Sequence, residues 1–356
     1  MSAPGTAVTA EASAASAVPD GVAGGDLART LGLALAVVVL AGAVLASLGI
    51  GARAIGPGTI WDALWSYDPD LNDHVTIREL RVPRTVVGLV VGPALGLCGA
   101  LIQSFTRNPL ADPGILGVNA GATFAVALAV GLAGITQPLG YVWFALAGAG
   151  AVTVLVYLLG SIGGSRATPG KLTLAGVAIS AALGGLTTAL TLADREAFDD
   201  LRFWGVGSIG GRDLGVVLTF SPLIALGVLL GLAVARSLNA LALGDELAAA
   251  LGVRIGRIRI IVVVAVTLLA GTATALAGPI AFLGLMVPHV VRWVVGPDQR
   301  WIFAYTVVVA PALLLVSDVV GRVVLPSGEL RVGLVTAMTG APVLILLARR
   351  RSVSGL

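Results

Sequence analysis

The sequence is short of charge, cysteine and histidine, and each shortage removes a class of function. Only 12% of its 356 residues are Asp, Glu, Lys or Arg, against about 25% in soluble domains. So little polarity cannot cover the water-facing surface of a soluble fold of this length. The single cysteine, Cys98, excludes a disulfide framework and a cysteine metal site. It lies in an apolar run and reads as a small buried residue. His74 and His289 are the only histidines, and neither HExxH nor GxSxG occurs. No grouped metal ligands and no nucleophile with its base are visible, so an enzyme is not expected. The basic residues are scattered among loops, which gives no nucleic-acid signal.

What remains is greasy. Hydrophobic residues make up 57% of the chain, and 48 glycines suit closely packed membrane helices. Apolar runs of about 20 residues, enough to cross roughly 30 Å of hydrocarbon, fall at 30–50, 84–105, 114–134, 139–161, 172–193, 213–235, 259–279, 302–321 and 332–348. A shorter run at 281–296 follows Gly278-Pro279. The expectation is an all-α polytopic membrane protein of about ten spans. The runs are continuously apolar rather than alternating, which favours helices over a barrel.

Basic residues set the expected orientation. Arg166, Lys171, Arg236, Arg254, Arg257, Arg259 and Arg349 to Arg351 all fall on one side if the span count is even. That side is expected to be the cytoplasm, with both termini there. Residues 1–28 have no basic residue before Arg29 and read as a disordered cytoplasmic tail rather than a signal peptide. Residues 29–351 read as one transmembrane domain, and 352–356 as a C-terminal tail.

The chain repeats itself. Asn108-Pro109-Leu110-Ala111 matches Gly278-Pro279-Ile280-Ala281, and Leu116-Gly117-Val118 matches Leu283-Gly284-Leu285. An odd number of spans separates the copies, so the second is inverted, a common transporter build. Pro109 and Pro113 break a helix. Irregular backbone at membrane depth survives only when buried in protein or facing water. Each break is therefore expected to be a hinge or a pathway element.

Two nucleotide-like motifs fail. Gly205-Val206-Gly207-Ser208-Ile209-Gly210 satisfies GxGxxG but follows no strand, and Gly170-Lys171 lacks the first glycine and the Ser or Thr of a P-loop. Any ATP-driven engine would have to be another chain. The segment 236–258 reads RSLNALALGDELAAALGVRIGRI. Its acids open a short Ala/Leu-rich helix and its bases follow, which suits a helix dipole and a partner's groove.

These residues resemble the FecCD permeases, the membrane subunits of binding-protein-dependent ABC importers for ferric siderophores, haem and cobalamin. The resemblance is carried by Leu243-Gly244-Asp245-Glu246, Ala249 and Leu251-Gly252. It is carried too by Arg81-Val82-Pro83-Arg84, Gln103, the run from Arg107 to Pro113, and Trp204 to Ser208. Gly278 to Leu285, Pro288-His289, Arg292, Asp318, Arg322, Gly333 to Ala337 and Gly340-Ala341-Pro342 continue it. It covers nearly everything after residue 30. Departures are Arg331 where the family often has proline and Gln299 where it often has histidine. The resemblance implies a type II ABC importer permease fold in the bacterial cytoplasmic membrane. It also implies a second permease (self or sibling), cytoplasmic ATPase subunits that carry ATP and Mg, and an extracytoplasmic substrate-binding protein. The expected cargo is a ferric siderophore, with cobalamin or haem as the alternative.

By the same resemblance, Arg81, Arg84 and Arg322 would dock acidic side chains of the binding protein. Leu243, Gly244, Asp245, Glu246, Ala249, Leu251 and Gly252 would couple to the ATPase. Gln103, Asn108, Pro109, Pro113, Gly278, Pro279 and Phe282 would form the pathway or hinge. No cofactor is expected on this chain, and surrounding lipid is. A carrier driven by an ion gradient would usually bury a carboxylate near mid-membrane. The near absence of ionisable residues from the apolar runs sets that reading behind.

Overall fold

The computed structural model describes residues 25–160, 162, 169–193 and 204–349. Of the tail expected at 1–28, residues 1–24 lie outside the described residues, as do Arg166, Arg350, Arg351 and the C-terminal tail at 352–356, while Asp26 to Ala28 already belong to the first helix. Among the described residues the chain is helical, with no strand. In order the helices are α1 (Asp26–Gly49), α2 (Pro57–Trp65), α3 (Asn72–Val75), α4 (Val82–Thr106), α5 (Val118–Gly131), α6 (Pro138–Gly160) and α7 (Pro169–Ala193). There follow α8 (Leu214–Ala242), α9 (Asp245–Ala250), α10 (Ile255–Ala277), α11 (Leu283–Val295), α12 (Gln299–Val323) and α13 (Val332–Arg349).

Each of the ten expected runs falls on a helix. Among the described residues, seven helices are long and apolar enough to cross a membrane, and three apolar ones are shorter, at Val118–Gly131, Leu283–Val295 and Val332–Ile345. The molecule is a multi-pass membrane protein. A π-turn at Thr76–Arg81 joins α3 to α4 without interruption. One expected boundary moves. The loop read from 236 is helix up to Ala242, because Leu238 and Leu241 are buried and Asn239 is held by hydrogen bonds to Asp298 and Gln299. The connection around α9 is accordingly shorter than the sequence suggested.

α4 and α10 form the centre, with 78% and 67% of their most apolar windows buried, against 17% in α1 and 11% in α7. Glycine explains how α4 can be surrounded so closely. Gly88, Gly92 and Gly96 recur every four residues on one face, and α12 lies against them. A Cβ on Gly92 would run into the backbone of Pro311, and one on Gly96 into Ala310. On another face, a Cβ on Gly99 would strike the Gly284 carbonyl of α11. Without a hydrophobic drive between helices in lipid, such close backbone approach supplies the van der Waals attraction that holds them together.

The two breaks sit where the repeat placed them. α4 ends at Thr106 and α5 begins at Val118, while α10 ends at Ala277 and α11 begins at Leu283. α5 and α11 have 14 and 13 residues. At 1.5 Å per residue each rises only about 20 Å, short of the roughly 30 Å of hydrocarbon. α5 starts beside Val152 and Ser180, well inside α6 and α7.

Candidate functional site: an arginine end, a coupling end and two breaks

At one end of the bundle, α1 finishes at Gly49 and leaves its last carbonyls without helical donors. Arginines supply them. Arg81 donates from Nη1 to the Leu48 carbonyl at 2.7 Å and from Nη2 to that of Arg53. Arg322 donates to the Ser47 carbonyl at 2.9 Å and to its hydroxyl at 3.1 Å. Cations at a helix C-terminus also meet the negative end of its dipole. Asp318, fully buried, takes Arg84 in a bidentate pair, with Nε and Nη2 each at 2.8 Å. The Arg322 Nε lies 3.1 Å from its other side, an ion pair without hydrogen-bond alignment. The remaining edge of Arg84 bonds the exposed Glu329 at 2.7 Å. Such charge-assisted forks are the strong kind of hydrogen bond.

The three arginines singled out for docking are thus brought together, and all three are engaged within the chain. Arg81 and Arg322 are buried. They form the wall of a cavity of about 560 Å³ that is also lined by Arg53, Arg212, Glu79, Asp213 and Glu329. Arg53 reaches Asp73 at 3.3 Å but stays largely exposed.

The opposite end holds the segment read as coupling to an ATPase. Gly244 has φ +108° and ψ 153°, a conformation that only glycine adopts readily, and it turns the chain sharply into α9. Ala248 is buried, while Leu243, Leu247 and Leu251 stand 58–66% exposed, and Glu246 and Ala249 are exposed beside them. Gly252, with φ +83°, ends the turn. Asp245, partly buried, pairs with Arg107 and, at 2.9 Å, with Arg259. Close by, Asp298 caps α12 and bonds Asn239 at 2.7 Å and Arg300. Burial alone would raise its carboxyl, but the bonds from Arg300 and Asn239 outweigh it and hold the pKa at about 2.

The first break is built from small hydrogen-bonded turns. Arg107 takes a left-handed conformation, φ 51°, and the Asn108 amide reaches back to the Gln103 carbonyl, a C-terminal helix stop. Asn108 Oδ1 accepts from Leu110, and Asp112 Oδ1 accepts from Gly114 to open the 3-10 turn Pro113–Leu116. Pro109 lies in the turn closed by Ala111. In the second break, Gly278 has φ +74° and lies so close to the Trp204 carbonyl that no side chain would fit, while Phe282 is left-handed at φ 66°. Pro279 packs its carbonyl against Gly207, and Phe282 packs on Gly340 of α13.

Gln103 is fully buried between α4 and α11, where Nε2 donates to the Gly284 and Leu285 carbonyls at 3.2 and 3.1 Å. Pro288 explains the first bond. It has no N–H to offer the carbonyl four residues back, which is that of Gly284. The mirror contact joins the other pair of copies, where Thr274 of α10 donates to Asn119 of α5 at 2.9 Å. His289 is buried edge-on to Trp293, and the His74 Nδ1 accepts the Asp68 amide.

Of these partners, the Asp318–Arg322 pair was visible as an i, i+4 spacing. Glu329, Arg259, Asn119 and Thr274 carried no local signal, because their partners are 14 to 245 residues away.

The bundle thus combines two mirrored breaks, an arginine-lined end and, at the other end, a short helix with exposed Leu247 flanked by Leu243 and Leu251. Residues 36–350 match the model of the FecCD transport family. The chain belongs to the FecCD transport family. It is 46% identical over 325 residues to the ferric enterobactin transport system permease protein of Escherichia coli strain K12, covering 91% of this chain and 96% of that one. A probable siderophore transport system permease protein of Bacillus subtilis strain 168 is 37% identical, covering 88% and 94%. An inward-facing structure assigned to the metal-chelate type of ABC transporter superposes with a TM-score of 0.76 at 27% identity, covering 90% of this chain and 98% of that one. This permease is accordingly a transport subunit of an ABC importer, and its fold is that of an ABC importer permease.

Proposed function

We propose that this permease carries a ferric siderophore across the bacterial cytoplasmic membrane. The cargo arrives from an extracytoplasmic substrate-binding protein at the arginine end, and cytoplasmic ATPase subunits holding ATP and Mg drive the cycle from the α9 end. The near full-length identity to the ferric enterobactin permease carries the cargo assignment. The basic residues near α9 support an orientation with that end and both termini in the cytoplasm. Exposed Leu247 of α9, with Leu243 and Leu251 on either side of it, supports a hydrophobic seat on the ATPase. The exposed small-residue face of α7, with Ala178, Ala181 and Gly185, supports pairing with a second permease, self or sibling.

At the arginine end, an acidic side chain of the binding protein would compete with Glu329 for Arg84, with Arg53 offering a second exposed cation. Arg81 and Arg322 hold the cavity wall from behind. The breaks at Asn108–Pro113 and Gly278–Phe282 serve as the hinges and pathway edge, and Gln103 locks one to the other.

Uptake of radio-iron as a ferric siderophore by iron-starved cells, with and without this chain, tests the reading. Labelled cobalamin and haem run in parallel, with a catalytically dead ATPase as control. Loss of iron uptake alone, matched by the dead ATPase, is the expected result. Loss of cobalamin or haem uptake instead keeps the mechanism and replaces the cargo. Uptake that ignores the ATPase sinks the importer cycle proposed here.

A further inference from the structure

Asp245 holds a position that the coupling role of α9 does not by itself require. α9 could seat on a partner through its exposed Leu247 and the flanking Leu243 and Leu251 with any residue at its first position. Instead both oxygens of the partly buried Asp245 are engaged, each by a different arginine. Arg107 is the left-handed residue that stops α4 and opens the first break. Arg259 lies in the first turn and a half of α10, the helix that runs into the second break at Gly278. Arg259 is the better shielded of the two, at 18% exposed, and Arg107 stands at 40%.

From this geometry we infer that Arg107, Asp245 and Arg259 form a two-armed clamp that divides one displacement of α9 between the two breaks. The inference rests on the proposed ATPase seat and adds the route by which motion leaves it. A push on α9 reaches the first break through Arg107 directly, as a change in the residue that terminates α4. It reaches the second through Arg259, as a shift of α10 along its axis. Each arm is a single charge-assisted bond from a guanidinium Nη2 to its own carboxylate oxygen. The clamp residues are positioning residues. They need touch neither nucleotide nor cargo.

The test compares import with ATP hydrolysis in the assembled complex. The permease is co-expressed with its ATPase and reconstituted with its binding protein in proteoliposomes, and 55Fe-enterobactin is supplied as cargo. Arg107→Ala and Arg259→Ala are each expected to co-purify with the ATPase and to hydrolyse ATP within twofold of wild type. Each is expected to import at least tenfold more slowly, so that ATP spent per cargo rises. Arg107→Lys, which keeps the charge, is expected to recover at least half of the import. A loss of folding would lower assembly and hydrolysis together and would not move this ratio. Leu247→Asp on the exposed face of α9 separates the two claims. If Leu247→Asp abolishes co-purification while Arg107→Ala imports at the wild-type ratio, the seat stands and the clamp falls. If Leu247→Asp still co-purifies and imports normally, the seat falls and takes the clamp with it.

Discussion

Replacing Gln103 by leucine removes the donor that Pro288 makes necessary. The Gly284 carbonyl is buried at the crossing of α4 and α11, and its helical donor is absent because residue 288 is proline. Leaving such a group unpaired costs about 1–3 kcal/mol. The substitution also removes the Gln103 Oε1, a buried acceptor with no partner, so the single mutant by itself understates the carbonyl's cost. A double-mutant cycle isolates it. In Pro288→Ala, residue 288 regains an N–H that can bond Gly284, and the loss of Gln103 then strands nothing there. The Oε1 contribution is the same in both backgrounds and cancels. Gln103→Leu is therefore expected to cost about 1–3 kcal/mol more in the wild-type background than in the Pro288→Ala background. Thermal unfolding of the four variants in detergent micelles reads the difference as a larger drop in Tm with Pro288 present. Equal drops in both backgrounds would refute the pairing of Gln103 with the proline gap.

Three further outcomes follow from the geometry. Pro109→Ala with Pro113→Ala is expected to leave expression intact and impair uptake, since the break would regain helix donors; normal uptake in cells would remove the hinge role. Gly92→Ala is expected to destabilise by about 1–3 kcal/mol through overpacking against Pro311, and an unchanged melting curve would show that α12 can retreat. Asp298 titrates at about 2 in the folded chain against about 3.9 unfolded. Its stabilisation is complete above about pH 5 and is lost progressively as pH falls from about 5 toward 1. The stability gap between wild type and Asp298→Asn should hold from pH 8 to 5 and narrow below 4; a gap that varies between pH 6 and 8 would contradict this.

The helices were legible because lipid imposes one rule, a continuous apolar run, on every span. Both breaks were legible as well, because proline and glycine announce themselves locally. The burial of the arginines was not. Arg81 and Arg322 stand near charged, outward-facing residues in the sequence. Only the fold shows that α1 ends beside them with carbonyls to satisfy. Asp245 read as an acid that opens a helix, and so it does. Its second task depends on Arg107, 138 residues earlier, which no window along the chain can reveal.

The crossed bonds between the copies bear on how the protein is made. Gln103 of the first copy holds the start of α11, and Thr274 of the second holds Asn119 at the start of α5. Each bond joins a residue of one copy to a residue of the other. Gln103 and its carbonyl are 181 residues apart, so at about 5–20 residues per second α4 waits roughly 10–40 s on the ribosome for its partner. Throughout that interval its glycine face and Gln103 stand in the bilayer without their neighbours. A nascent chain halted between residues 131 and 283 should therefore be recognised as unfinished by membrane quality control, even though its first apolar helices have already emerged.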